Sequence, residues 1–146
     1  MRVLVVSADP EERLRVTSAM DDSFDILEVD GVDAARRAVE APDGTFDVLV
    51  VDGDLQPRGG YAFLYELRGQ AELTGRPAIP SVVLASRPSD GWLAGWAGAS
   101  QLFLKPVDPF EVAAAVRSLE GAAVPAYGDA GSAAAQVGTA LRRSGR

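Results

Sequence analysis

The chain has 146 residues, no cysteine, no histidine and a formal charge of -7. Such a length suits one domain of ordinary size, and the missing residue types remove disulfides, thiolate nucleophiles, zinc sites and imidazole acid/base catalysis. The acidic balance argues against a nucleic-acid partner, which needs a basic patch, and no apolar run approaches a membrane span or signal-peptide core, so a cytoplasmic protein with no membrane partner is expected.

Short apolar runs alternate with amphipathic stretches, the pattern of successive strand and helix units around a parallel sheet. A strand over 3–6 runs into Ser7, Ala8 and Asp9 and a helix over 10–20. A strand over 24–29 leads to a helix over 32–41, and a strand over 46–51 to a helix over 60–70. The fourth pair covers 81–84 and 91–98, and the fifth 102–104 and 109–119. Asp9, Pro10 and Glu12 read as N-cap, first turn and N3 of a capping box, as do Asp108, Pro109 and Glu111. Residues 1–120 form the expected domain. Residues 121–146 form an Ala/Gly-rich tail that buries too little apolar surface to offset chain entropy, so disorder is expected there, with a short helix over 132–143 if a partner covers it.

A doubly wound sheet places ligands outside the carboxyl ends of its strands, near the point where strand order reverses. Those ends carry Ser7, Ala8 and Asp9 after the first strand, Asp52 after the third, Ala85 and Ser86 after the fourth and Lys105 after the fifth. They would share one pocket.

The stretches DVLVVDGDLQPRGG and LFLKPVDPFEV, taken together, resemble the receiver domains of two-component response regulators, over residues 1–120. The resemblance implies an α/β, flavodoxin-like (CheY-like) fold: a doubly wound five-stranded parallel sheet, strand order 2-1-3-4-5, with helices on both faces. It places Asp52 at the phosphoacceptor position, Gly60 at the glycine before the third helix, and Lys105 on the family's lysine, whose bond to the following proline is usually cis. DGDLQPRGG, the two tryptophans and PVDP are similar to a stand-alone, atypical actinobacterial branch.

The departures from that family are chemical. Typical receivers carry an acid pair where this chain has Ser7 and Ala8, and those acids hold magnesium beside the acceptor. They also carry a hydroxyl where Ala85 stands, an aromatic switch residue where Leu102 stands, and a loop proline one position before Pro57. Magnesium neutralises the charges that phosphoryl transfer brings together, and it demands oxygen ligands in near-octahedral geometry. A charge pair about 4 Å apart is worth roughly 4 kcal/mol at an effective dielectric near 20, so losing two anions weakens the metal by orders of magnitude. No cofactor is therefore expected, with Mg2+ weak or absent. If a metal does bind, Asp9, Asp52 and Asp54 are the ligands. Ser86 replaces the missing hydroxyl if the fourth strand ends one residue later. Without magnesium, Asp52 is expected to pair with Lys105.

Trp92 and Trp96 lie four apart on one side of the fourth helix, where at least one is expected to pack into the core and the face is a candidate for a partner. The partner is a protein, or a second copy through the fourth helix, fifth strand and fifth helix. The expected function is a stand-alone signalling and protein-interaction module, not an enzyme, whose output does not depend on aspartyl phosphorylation. The alternative within the family is a phosphorylatable receiver that takes phosphate on Asp52 from a histidine kinase. An alternative of another class rests on VVDGD, which resembles the nucleophile motif of haloacid-dehalogenase-type phosphatases, with Asp52 attacking and Asp54 as acid/base. That motif normally ends the first strand of a larger domain.

Overall fold

The computed structural model describes residues 1–56, 59–122 and 124. Its strands are β1 (Arg2–Val6), β2 (Asp25–Val29), β3 (Val48–Asp52), β4 (Ser81–Ala85) and β5 (Gln101–Leu104). The helices are α1 (Pro10–Thr17), α2 (Val32–Glu40), α3 (Gly59–Thr74), α4 (Gly91–Trp96) and α5 (Pro109–Ser118), with a 3-10 turn at Pro88–Asp90. All strands are parallel in the order β2-β1-β3-β4-β5, the α/β architecture the apolar runs imply.

Because side chains alternate across a strand, each central run splits its apolar residues between two layers. Leu4, Val6, Leu49, Val51, Val83 and Leu102 face the layer of α2, α3 and α4. Val3, Val5, Val48, Val50, Val82 and Phe103 face the layer of α1 and α5. Every residue of β3 and β4 is buried, whereas the edge strand β2 is half exposed. Val6 pairs with Val29 and Val51, Asp52 with Leu84, and Ala85 with Leu104, so the carboxyl ends of β1, β3, β4 and β5 lie level. No helix among the described residues is long and apolar enough to cross a membrane.

Several boundaries differ from the sequence expectation for local reasons. α1 stops at Thr17 rather than at residue 20, where the hydroxyls of Thr17 and Ser18 donate back to the carbonyls of Arg13 and Arg15. β3 begins at Val48 rather than 46, because the Asp47 carboxylate accepts from the Arg2 amide at 2.8 Å. α3 continues to Thr74 through good helix formers and ends at Gly75, whose φ is 68°. α4 is six residues long, with no side-chain cap and glycines at 91 and 95. Residues 123 and 125–146, including the helix expected over 132–143 and most of the expected tail, lie outside the described residues, as does Pro57.

Candidate functional site

The pocket is built on the level strand ends. Lys105 follows β5, and its amide continues the ladder to the Ala85 carbonyl at 2.9 Å. The peptide bond to Pro106 is cis. The Lys105 ammonium makes three ion pairs: 2.6 Å to Asp52 Oδ1, 3.0 Å to Asp54 Oδ2 and 3.2 Å to Glu12 Oε2. Asp52 Oδ1 also accepts the Asp54 amide at 2.8 Å, an Asx turn that fixes the start of the β3–α3 loop. Asp54 Oδ2 accepts a second, short bond from Ser86 Oγ, 2.6 Å. Ser86 follows β4 directly, because that strand ends at Ala85, one residue later than the apolar run alone indicates. Ala85 and Leu102 are themselves fully buried, so neither offers a polar group to the pocket.

Three acids share one ammonium, so the cluster carries more negative than positive charge and its groups shift accordingly. Burial alone would lower Lys105, but the hydrogen bonds it donates to the Asp52 and Asp54 carboxylates outweigh it and hold the ammonium well above its ordinary range. Burial raises Asp54, yet bonds from Ser86 and Lys105 leave it below the usual carboxyl value. Glu12 goes the other way: burial, reinforced by the Asp52 charge, lifts it above the usual value against the pull of Lys105. Its second oxygen, Oε1, is buried with no hydrogen-bond partner, the situation in which a proton on the carboxyl is cheapest.

Glu12 is the pocket residue the sequence reading assigned elsewhere. Asp9 is the N-cap of α1, accepting from the Glu11 amide at 3.0 Å, but Glu12 does not complete the capping box. Helical side chains lean toward the helix N-terminus, and from the first turn of α1 that direction leads back over the end of β1. At α5, Asp108 caps Phe110 at 2.9 Å. Tyr61, from the first turn of α3, was also not singled out. It is buried, its hydroxyl has no partner, and a Cβ at Gly53 would lie 2.6 Å from that oxygen. Burial, with Asp90 and Asp54 nearby, pushes its phenol up. Gly60 is needed for a similar reason: a Cβ there would strike the Asp52 carbonyl and the Val51 side chain, which lets α3 start directly over β3.

The donor set does not fit magnesium as the resemblance describes it. Ser7 is buried and its Oγ accepts from the Asp9 amide at 3.2 Å, Ala8 has no donor atom, and the Asp9 carboxylate caps α1. Asp52, Asp54 and Glu12 face the ammonium of Lys105 instead of converging on an empty centre, and among the described residues no group of three or more acidic or histidine side chains is placed to hold a metal ion. Their charge is met by a side chain of the chain itself, the Lys105 ammonium.

On the outer surface, Trp92 and Trp96 are 68% and 44% exposed, so neither packs into the core. Trp96 instead stacks on Tyr65 of α3, with ring centroids 4.1 Å apart and planes 5° from parallel. The turn of α4 carries them outward because Ala94 and Ala97 take the inward positions.

No protein-family model matches the chain. Two curated proteins do, the uncharacterised response regulatory proteins Rv3143 and MT3230 of two Mycobacterium tuberculosis strains, each 32% identical over 124 residues, covering 82% of this chain and 90% of the relative. Among solved structures, the signal receiver domain of a histidine kinase from Syntrophus aciditrophicus superposes with a TM-score of 0.68 at 23% identity, covering 82% of this chain and 89% of that one. The chemotaxis response regulator CheY4 of Vibrio cholerae gives 0.66 at 20% identity, covering 81% and 97%.

Proposed function

The chain belongs to the response regulator receiver family of two-component signalling, and from that membership we propose that it works as an atypical receiver: a protein-interaction module whose output does not depend on phosphorylation of Asp52. One observation carries the reading. The acceptor-position carboxylate is bound at 2.6 Å by Lys105, which is also bound by Asp54 and Glu12, so among the described residues an incoming phosphoryl dianion meets three acids and an ammonium that is already engaged. Phosphoryl transfer is catalysed by positioning and by neutralising charge, and here the neutralising group is consumed by side chains. Ser7 and Ala8 supply no carboxylate to recruit a divalent ion in its place.

As a receiver the chain is a signalling module, and its output would pass through a protein partner. The exposed indoles of α4 are the residues proposed to meet that partner, because tryptophan anchors interfaces through large, rigid apolar area. A second copy bound through α4, β5 and α5 is the other occupant to be tested. Asp52 ends β3 of a five-stranded receiver sheet rather than the first strand of a larger domain, so nothing favours the phosphatase reading of Asp52 and Asp54.

The test is incubation of the full chain with acetyl phosphate and magnesium, followed by intact mass. No phosphoryl adduct is expected. An adduct that disappears in Asp52→Asn would restore the phosphorylatable receiver as the function.

A further inference from the structure

Asp54 Oδ2 is a junction. A hydroxyl from the end of β4 and an ammonium from the end of β5 converge on this one oxygen, Ser86 Oγ at 2.6 Å and Lys105 Nζ at 3.0 Å, while Asp54 itself hangs from the end of β3. A hydroxyl and an ammonium aimed at one oxygen form a donor pair for an oxyanion, and such charge-assisted bonds are the strong ones. Here the oxyanion is part of the chain. The bond also has mechanical reach. Ser86 opens the short run to Asp90, which is buried and paired with Arg87 at 3.4 Å, and Trp92 follows two residues later. Tyr61 packs its ring over Gly53 on the other side of the same loop.

We propose that Asp54 is a built-in anion: its carboxylate fills an oxyanion site made by Lys105 and Ser86, and by doing so ties the segment between β4 and α4 to the pocket and holds the tryptophan face in one position. The tie needs no added group. This inference rests on the phosphorylation-independent reading, since it explains how a receiver that takes no phosphoryl group keeps its output face fixed. It predicts that removing the internal carboxylate opens the site to a free oxyanion of tetrahedral shape, such as sulfate.

The experiment compares the full chain with Asp54→Ala and Asp54→Ala/Ser86→Ala in thermal unfolding, titrating millimolar sulfate against chloride at constant ionic strength. Wild type is expected to give the same Tm in both salts. Asp54→Ala should show a saturable upshift on the order of 5 °C in sulfate, and the double variant should lose most of it. In the same samples, amide exchange over 86–96 should rise several-fold in Asp54→Ala and fall back when sulfate is added. An Asp54→Ala protein no more sensitive to sulfate than wild type overturns the proposal, as does an upshift that survives loss of Ser86. Should Asp54→Ala fail to fold, Ser86→Ala alone decides: it keeps every charge and removes one bond, and unchanged exchange over 86–92 overturns the tie. A phosphoryl adduct on wild-type Asp52 would refute the function proposed above while leaving the sulfate result standing, so the two failures are told apart.

Discussion

Glu12 and Asp54 share the ammonium of Lys105 yet are driven in opposite directions, which makes them separable by pH. Glu12 is lifted chiefly by burial, then by Asp52, so its folded-state affinity for a proton exceeds that of the unfolded chain. Its contribution is therefore present in full below the ordinary value of 4.5 and is lost as pH rises through the raised folded value. Asp54 is raised by burial but lowered more by Ser86 and Lys105, so its contribution is present above 3.8 and is lost as pH falls through the depressed value. Two isosteric variants read this out. The Tm difference between Glu12→Gln and wild type should move in favour of the variant as pH rises from about 4 to 7, whereas that of Asp54→Asn should move in favour of wild type at lower pH, as pH rises through the depressed value towards 3.8, and then level off. Parallel curves for the two variants would contradict the assignment. Asp52 and Lys105 were legible in the sequence because each closes an apolar run with a charge. Glu12 was not, because the letters of a capping box explain an acid at that position equally well; only the direction in which helical side chains lean sends it to the pocket. For Asp54, the letters do not say whether its backbone or its side chain faces the site.

Between the residues and the fold lie two contacts that link elements: Tyr61 of α3 over Gly53 of the β3–α3 loop, and Gly60 against the end of β3. Gly53 is small because a phenol occupies the place of its side chain. Gly53→Ala should therefore cost about 1–3 kcal/mol through overpacking, most of it recovered by adding Tyr61→Leu. Tyr61→Phe removes a buried hydroxyl that has no partner, so denaturant unfolding should find it as stable as wild type or more so. A marked loss in Tyr61→Phe would mean that the hydroxyl has a partner. Strand and helix identities were readable from periodicity, whereas α4 was read too long. Its alternation of tryptophan, glycine and alanine looks amphipathic, but an uncapped glycine-rich stretch sustains less than two turns. The indoles lie outward because Ala94 and Ala97 take the inward positions of that segment.

At the scale of the whole molecule, the level strand ends bring α1 and the ends of β3, β4 and β5 into a single charged cluster, and among the described residues Lys105 is the only cation that bonds its three acids. Removing the lysine leaves Glu12, Asp52 and Asp54 facing one another in a pocket where Asp52 and Glu12 are about nine-tenths buried. Removing one partner of a buried pair is strongly destabilising, and Lys105→Ala should lower Tm by roughly 5–10 °C. Magnesium would have to compete with that ammonium for the same carboxylates. The family membership and the sheet order were available from two strand-end motifs, but the engagement of all three acids by Lys105 needed the distances. The most direct measurement of that claim is the melting temperature of the wild-type chain with and without about 10 mM magnesium, beside Lys105→Ala. The account predicts a wild-type curve that does not move and a variant that melts clearly lower. A wild-type Tm that climbs by several degrees with magnesium, in a saturable way, would contradict it.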